Sequence, residues 1–149
     1  MTTEQGNTWK QVEFGTAIVS TGGGGFGAVN SAIYSNDLVN RVALPSGFGS
    51  DVRGMWHNHP VKAPVGSQEF AIARYPSVFP NGSGDWAALA DLAGKTNNPN
   101  PSLWLMGPDG MTREFKLSER AYFESLTDTQ KEAQAGLQGR ERNEACQQP

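Results

Sequence analysis

The sequence predicts one α+β domain with a mixed β-sheet. Its 149 residues match the usual length of a single domain. Short β-compatible segments come first, and one helix, one hairpin and a second helical segment follow. Glycine and proline occur 18 and 9 times, so we expect short strands joined by many turns. The predicted domain covers residues 12–133, between a flexible N-terminus over 1–11 and a polar C-terminal tail over 134–149.

Four segments in the first half of the chain have the composition of strands. Residues 12–19 form the first, and a run of glycines then marks a hairpin turn into a second strand within 26–34. Residues 38–44 are compatible with a third strand. Residues 52–57 alternate well enough to form a fourth, and Pro60 stops it because proline has no N–H for the ladder.

A long loop and a helix follow the fourth strand. Residues 61–84 show no sustained period and are rich in Pro, Gly and Ser, with one helical turn around 68–73. Apolar residues then recur at helical spacing over 85–93, and Ser83 or Asp85 is suited to cap that helix.

The last third of the chain contains the clearest hairpin. Two β-compatible segments, 103–106 and 111–117, flank the turn Gly107–Gly110. A helical segment then runs from Ser118 to about Ala133.

The charge and cysteine content exclude several classes of protein. A net charge of −3, without any run of Lys or Arg, argues against a nucleic-acid partner, because phosphate binding needs a basic surface. Cys146 is the single cysteine, so neither an intramolecular disulfide nor a cysteine-based metal cluster can form. Residues 1–11 are polar, and no apolar run approaches the roughly 20 residues that span a bilayer. We therefore expect a protein that is made in the cytoplasm and has no membrane partner.

Both histidines of the chain lie at the C-terminal end of the fourth predicted strand. Residues i and i+2 of a strand point to the same side, so His57 and His59 present their imidazoles to one point. A hydrolytic zinc site uses three protein ligands from His, Asp or Glu and keeps one position open. Because no other His or suitable Cys exists, the third ligand must be a carboxylate. Asp85 is our candidate, since it begins a predicted helix whose N-terminus favours negative charge.

A metal-activated water also needs a proton acceptor that is not itself a ligand. Glu13 is the only carboxylate in the first β-rich segment, where it lies between Val12 and Phe14. An acid in such a segment either faces water or points into a site, and both interpretations remain open. A further interpretation is that His57 and His59 only end a strand at the surface.

These residues resemble the pattern of JAMM (JAB/MPN-like) metallopeptidases. That pattern has a Glu in a first strand, a His-x-His-Pro string and a Ser shortly before an Asp, matched here by Glu13, Trp56–Pro60 and Ser83–Asp85. Together with the hairpin at 103–110, the arrangement is similar to an uncharacterised bacterial branch found in polymorphic-toxin and effector proteins. The resemblance covers roughly residues 12–115.

The resemblance implies a curved mixed sheet flanked by helices, of the JAMM/cytidine-deaminase-like type, and a Zn²⁺ ion held by His57, His59 and Asp85. It implies that Glu13 is the general acid/base and that Ser83 stabilises the tetrahedral oxyanion. Members of the family cleave peptide or isopeptide bonds, so the implied substrate is a peptide or protein. The toxin branch further implies a cognate immunity or carrier protein and export by a signal-less route into a target cell.

The chain departs from the family pattern around the serine. One residue separates Ser83 from Asp85, where the family has two. Ser67 has the family's spacing from His59, but the position expected to hold Asp is then Phe70. We prefer Asp85 because a helix follows it, and Ser67 stays the alternative oxyanion residue. The irregular spacing also keeps open a catalytically inactive JAMM-like effector that acts through protein–protein binding.

Overall fold

A mixed β-sheet lies at the centre of the fold, as the sequence predicts. The computed structural model describes residues 8–28, 33–34, 51–61 and 63–136. Within them the strands are β1 (Phe14–Ser20), β2 (Phe26–Ala28), β3 (Ile33–Tyr34), β4 (Val52–Asn58), β5 (Ser102–Met106) and β6 (Thr112–Lys116). Their order across the sheet is β2-β1-β4-β5-β6, and β3 pairs with the start of β1. The strand predicted over 38–44 lies outside the described residues.

The two predicted hairpins are both present. β1 and β2 pair antiparallel around the glycine run, which forms a short 3-10 turn over Gly22–Gly24. β5 and β6 pair antiparallel around the turn Gly107–Gly110, where the N–H of Gly110 donates to the carbonyl of Gly107. Local turn chemistry therefore determines these parts of the fold.

β4 and β5 are the one parallel pair among the described strands, so their C-terminal ends lie at the same edge of the sheet. The N–H of His59 donates to the carbonyl of Met106 and continues the ladder one residue past the end of β4. The backbone from His57 to His59 therefore stays extended, which keeps both imidazoles on one side.

The first three α-helices of the described residues are α1 (Gln68–Ile72), α2 (Asp85–Lys95) and α3 (Arg120–Ser125). The first is the helical turn predicted in the long loop, and the second is the helix predicted over 85–93. The C-terminal segment is not the single helix that the sequence predicts, because helical backbone stops at α3 and resumes over 128–136. The second stretch begins with a capping box, in which Thr127 and Gln130 each accept the other's backbone N–H.

The N-terminus of α2 differs from the prediction that Ser83 or Asp85 caps it. The N-cap residue is Gly84, with φ of 127° and no side chain to accept a hydrogen bond. A Cβ at this position would collide with the carbonyl of Ser77, and the positive φ independently favours glycine. The hydroxyl of Ser83 donates instead to Asn81 Oδ1 at 2.6 Å.

One face of the sheet packs against α2 and α3. The buried side chains of this core include Met55, Trp86, Leu89, Leu92, Leu103, Leu105, Phe115 and Phe123. Trp86 of α2 meets Phe115 of β6 edge-on, with ring centroids 6.2 Å apart. This packing holds the first residue of α2 at the C-terminal end of β4. Trp56 and Trp104 lie side by side on the opposite face, as strand alternation predicts.

Packed structure extends past both predicted limits of the domain, 12 and 133. The carbonyl of Trp9 accepts a hydrogen bond from Asn58, and Ala135 is fully buried. The Ala135 carbonyl accepts from the guanidinium of Arg113, which also pairs with Asp109 in the hairpin turn. The last described helical residues are thereby attached to the hairpin. Among the helices of the described ranges, none is long and apolar enough to cross a membrane.

Candidate metal centre

The structure brings together the three side chains predicted as metal ligands. Nε2 of His57 and Nε2 of His59 lie 3.3 Å apart at the end of β4. Asp85, the first residue of α2, directs Oδ1 to His57 at 3.1 Å and Oδ2 to His59 at 3.3 Å. In the described residues these three form a group whose ligand atoms lie close enough to hold one metal ion.

The spacing of the ligand atoms fits a small tetrahedral ion. When each ligand lies about 2.0–2.1 Å from such an ion, neighbouring ligand atoms are about 3.3 Å apart. The two imidazole nitrogens have this separation, at 3.3 Å, and Asp85 places a different oxygen at 3.1 or 3.3 Å from each of them, so either carboxylate oxygen lies near the third ligand position. Two imidazoles and a carboxylate are also a donor set that zinc accepts, with a fourth position left for water.

His59 is held in the tautomer that a metal ligand needs. Its Nδ1–H donates to the carbonyl of Ala73, at the end of α1, with 2.9 Å between the two atoms. In the neutral ring Nε2 then carries a lone pair, which faces the Nε2 of His57 and an oxygen of Asp85. Converging electron pairs of this kind require a proton or a cation between them, and a carbonyl behind the ligating histidine is typical of metal sites.

The carboxylate of Asp85 is oriented by the loop that precedes it. The backbone N–H of Ser77 donates to Oδ2 at 2.6 Å, and the N–H of Asp85 donates to the Ser77 carbonyl at 3.1 Å. An isolated β-bridge between Val78 and Gly84 closes the same loop. The long segment after β4 therefore returns to the strand end and presents the third ligand side chain there.

The charges at the site stabilise one another. Burial alone would lower the pKa of His57, but the charge and hydrogen bond of Asp85 and the charge of Glu13 outweigh it and raise that pKa. Burial alone would raise the pKa of Asp85, but His57 and His59 outweigh it and hold that pKa well below its usual range. The site therefore keeps an ionised carboxylate against a positive charge, which a proton or a bound cation can supply.

Glu13 points into the site and is 7% exposed, so the interpretation of it as a solvated acid is wrong. It does not lie in the first strand as expected, because β1 begins one residue later at Phe14. Glu13 lines the same cleft as His59 and Asp85. Its role as a proton acceptor stays a prediction.

Asn58, which was not among the predicted site residues, holds the backbone on both sides of Glu13. This side chain is completely buried. Its Oδ1 accepts from the N–H of Phe14 at 2.6 Å, and its Nδ2 donates to the carbonyls of Val12 at 3.1 Å and Trp9 at 2.7 Å. The position of Asn58 between the two histidines could have identified it, because strand alternation turns its side chain to the side of β4 opposite the imidazoles.

The two candidate serines have different surroundings. Ser83 is exposed, but it lines the cleft next to Asp85. Ser67 is the N-cap of α1, where its hydroxyl accepts from the N–H of Phe70 and donates to the carbonyl of Pro64. Ser67 therefore has a structural role, and oxyanion binding by Ser83 stays a prediction.

The site opens into a cleft of about 640 Å³, which we call the α1–α2 cleft. Its lining includes Glu13, His59, Phe70, Phe79, Asp85 and Ala88. Concave, largely apolar sites with a few converging polar groups are typical of ligand-binding positions.

Comparisons with protein families, with curated proteins and with solved structures found no match to this chain. The resemblance to JAMM metallopeptidases therefore remains a prediction that depends on Glu13, the string His57–Pro60 and Asp85.

Proposed function

We propose that this protein is a zinc-dependent hydrolase that cleaves peptide or isopeptide bonds. The observation that carries the proposal is the convergence of His57, His59 and Asp85 beside a buried Glu13, at the base of an open cleft. Three protein ligands with room for a fourth distinguish hydrolytic zinc sites from closed structural ones. The sequence resemblance supplies the choice of bond.

Each residue of the site has a defined task in this proposal. His57, His59 and Asp85 would hold the ion, and Ala73 would keep His59 in its ligating tautomer through the Nδ1–H bond. A zinc ion, when bound, supplies Lewis acidity that lowers the pKa of water towards neutrality. Glu13 would take the proton of the attacking water and deliver it to the leaving amine.

The metal part of the proposal is tested on the purified protein. We expect zinc to copurify, and its removal by a chelator to lower the melting temperature. A ligand that binds only the folded state stabilises it by about 2.7 kcal/mol at one hundred times its Kd. His57→Ala should abolish this response, whereas Asp91→Ala, which removes an exposed acid of α2, should retain it. If the purified protein contains no zinc and its melting temperature changes with neither chelator nor added Zn²⁺, the metal site is refuted.

The catalytic part is tested separately with Glu13→Gln. This variant should keep its zinc and lose hydrolysis of a peptide or isopeptide substrate by about 10²–10⁴-fold, the usual contribution of a positioned acid/base. Glu124→Gln, an exposed glutamate of α3, is the matched control. Unchanged hydrolysis in Glu13→Gln would remove Glu13 from the mechanism.

A second candidate function is a toxin or effector module that acts by binding alone. It is favoured by Ser83, whose hydroxyl donates to Asn81 and whose spacing from Asp85 is irregular. In this case wild type and His57→Ala would be equally toxic when produced in a target cell. Loss of toxicity in His57→Ala would favour the hydrolase.

A further inference from the structure

The wall of the α1–α2 cleft has apolar side chains that no part of the described chain covers fully. Ile72 at the end of α1 is 41% exposed, and Phe79 in the loop before α2 is 46% exposed. Phe70 and Ala88 line the same cleft from α1 and α2. Exposed apolar surface inside a concave site indicates a ligand that buries it.

The Asp and Glu side chains among the described residues of this cleft have no Lys or Arg to oppose them in the lining. Glu69 on α1 and Asp91 on α2 line the cleft, in addition to the two acids of the proposed zinc site. Lys95 lies outside the lining and pairs with Asp91, so it balances the charge of that acid. Among the described residues beside the apolar wall, Glu69 therefore carries most of the unbalanced charge.

Glu69 lines the same cleft as the proposed zinc ligands His59 and Asp85. The carbonyl of Ala73, four residues further along the chain, accepts the hydrogen bond from His59. Four residues of helix correspond to about 6 Å along its axis. The proposed ligand His59 lies beyond that carbonyl, so a ligand group paired with Glu69 would be at least two residues of extended peptide, at about 3.3 Å each, from the bond that faces the zinc site.

We propose that the α1–α2 cleft selects peptide segments in which a bulky apolar side chain is adjacent to a lysine or arginine. The apolar side chain packs against Phe70 and Phe79, and the cation pairs with Glu69. This inference rests on the proposed hydrolase function for the position of the scissile bond. The selectivity itself is a property of the cleft and is measurable without catalysis.

The experiment uses the full chain carrying Glu13→Gln, loaded with zinc, so that peptides bind without being cleaved. Fluorescence anisotropy compares three labelled peptides that differ only at their centre, Phe-Arg, Phe-Glu and Ala-Arg. We expect the Phe-Arg peptide to bind about fivefold more tightly than either of the others, with the charge preference declining as salt is added. Equal affinity for Phe-Arg and Phe-Glu, or a preference that salt does not change, would overturn the proposal.

A charge-reversal variant tests whether Glu69 causes the preference for a peptide with a cation. Adding Glu69→Lys should abolish the difference between Phe-Arg and Phe-Glu, whereas Glu124→Lys on α3, away from the cleft, should retain it. An equal effect of both variants would mean that net charge alone decides, and would reject the proposed pairing. Circular dichroism confirms folding, and the comparison of peptides on the parent protein stands if Glu69→Lys does not fold.

Binding and cleavage assays on the wild-type protein distinguish a failure of this proposal from a failure of the proposed function. If Phe-Arg binds preferentially but is not cleaved, the hydrolase fails and the binding preference remains. If the wild type cleaves Phe-Arg and Phe-Glu at equal kcat/KM, the hydrolase stands and the selectivity is wrong.

Discussion

Replacing Asn58 with alanine removes the side chain that holds the segment around Glu13. Three hydrogen bonds disappear, to Phe14, Val12 and Trp9, with donor–acceptor distances of 2.6, 3.1 and 2.7 Å. At about 1 kcal/mol for each bond, we expect the free energy of unfolding to fall by about 3 kcal/mol. That is a large part of the roughly 5–15 kcal/mol that stabilises an ordinary domain.

The assay is urea unfolding followed by tryptophan fluorescence, with zinc content measured on the same samples. His57, His59 and Asp85 accept no hydrogen bond from Asn58, so Asn58→Ala should still bind zinc while it remains folded. Hydrolysis should decline with the displacement of Glu13. Asn98→Ala is the matched control and should cost less, because Asn98 is only partly buried; it donates two bonds of 3.3 Å to the start of β4 and accepts one of 3.1 Å from the N–H of Asn100. If Asn58→Ala unfolds at the same urea concentration as wild type, the three Asn58 hydrogen bonds do not stabilise the fold and the reasoning is refuted.

Two further predictions concern the hairpin turn and the start of α2. Burial alone would raise the pKa of Asp109, but Arg113 outweighs it and lowers that pKa below 3.8. The resulting stabilisation is complete above this ordinary value and is lost as the pH falls through the lower folded-state pKa, so Asp109→Asn should flatten the acid side of a plot of urea midpoint against pH. Gly84→Ala should lower the free energy of unfolding by about 1–3 kcal/mol, because Gly84 has a positive φ that alanine rarely adopts. It should also weaken zinc binding by displacing the neighbouring Asp85. Gly94→Ala, in open space on the same helix, should be neutral or stabilising when unfolded in parallel.

Much of the fold follows from short stretches of sequence. The alternation in β4, the glycine run after β1 and the turn Gly107–Gly110 each act within a few residues. The break after α3 shows where this approach fails. Helical spacing continues through the break, but the capping pair Thr127 and Gln130 starts a new helix there. Periodicity reports which side of an element is apolar and carries less information about where the element ends.

The candidate site likewise combines features that local sequence predicts with features that it does not. The sequence by itself determined that His57 and His59 share one side of a strand, because the side-chain period of a strand is a local property. It also limited the third ligand of a hydrolytic metal site to a carboxylate, because the sequence has no other histidine and its single cysteine, Cys146, was not a suitable candidate. Only the tertiary structure decided that Asp85 lies 3.1 Å from His57, because the packing of α2 on the sheet sets that distance. The roles of Asn58 and Ala73 also depend on tertiary structure. The Asn58 side chain donates to the backbone of Trp9, and the Ala73 carbonyl accepts from His59. A backbone carbonyl is present in every residue, so neither contact leaves a pattern in the sequence.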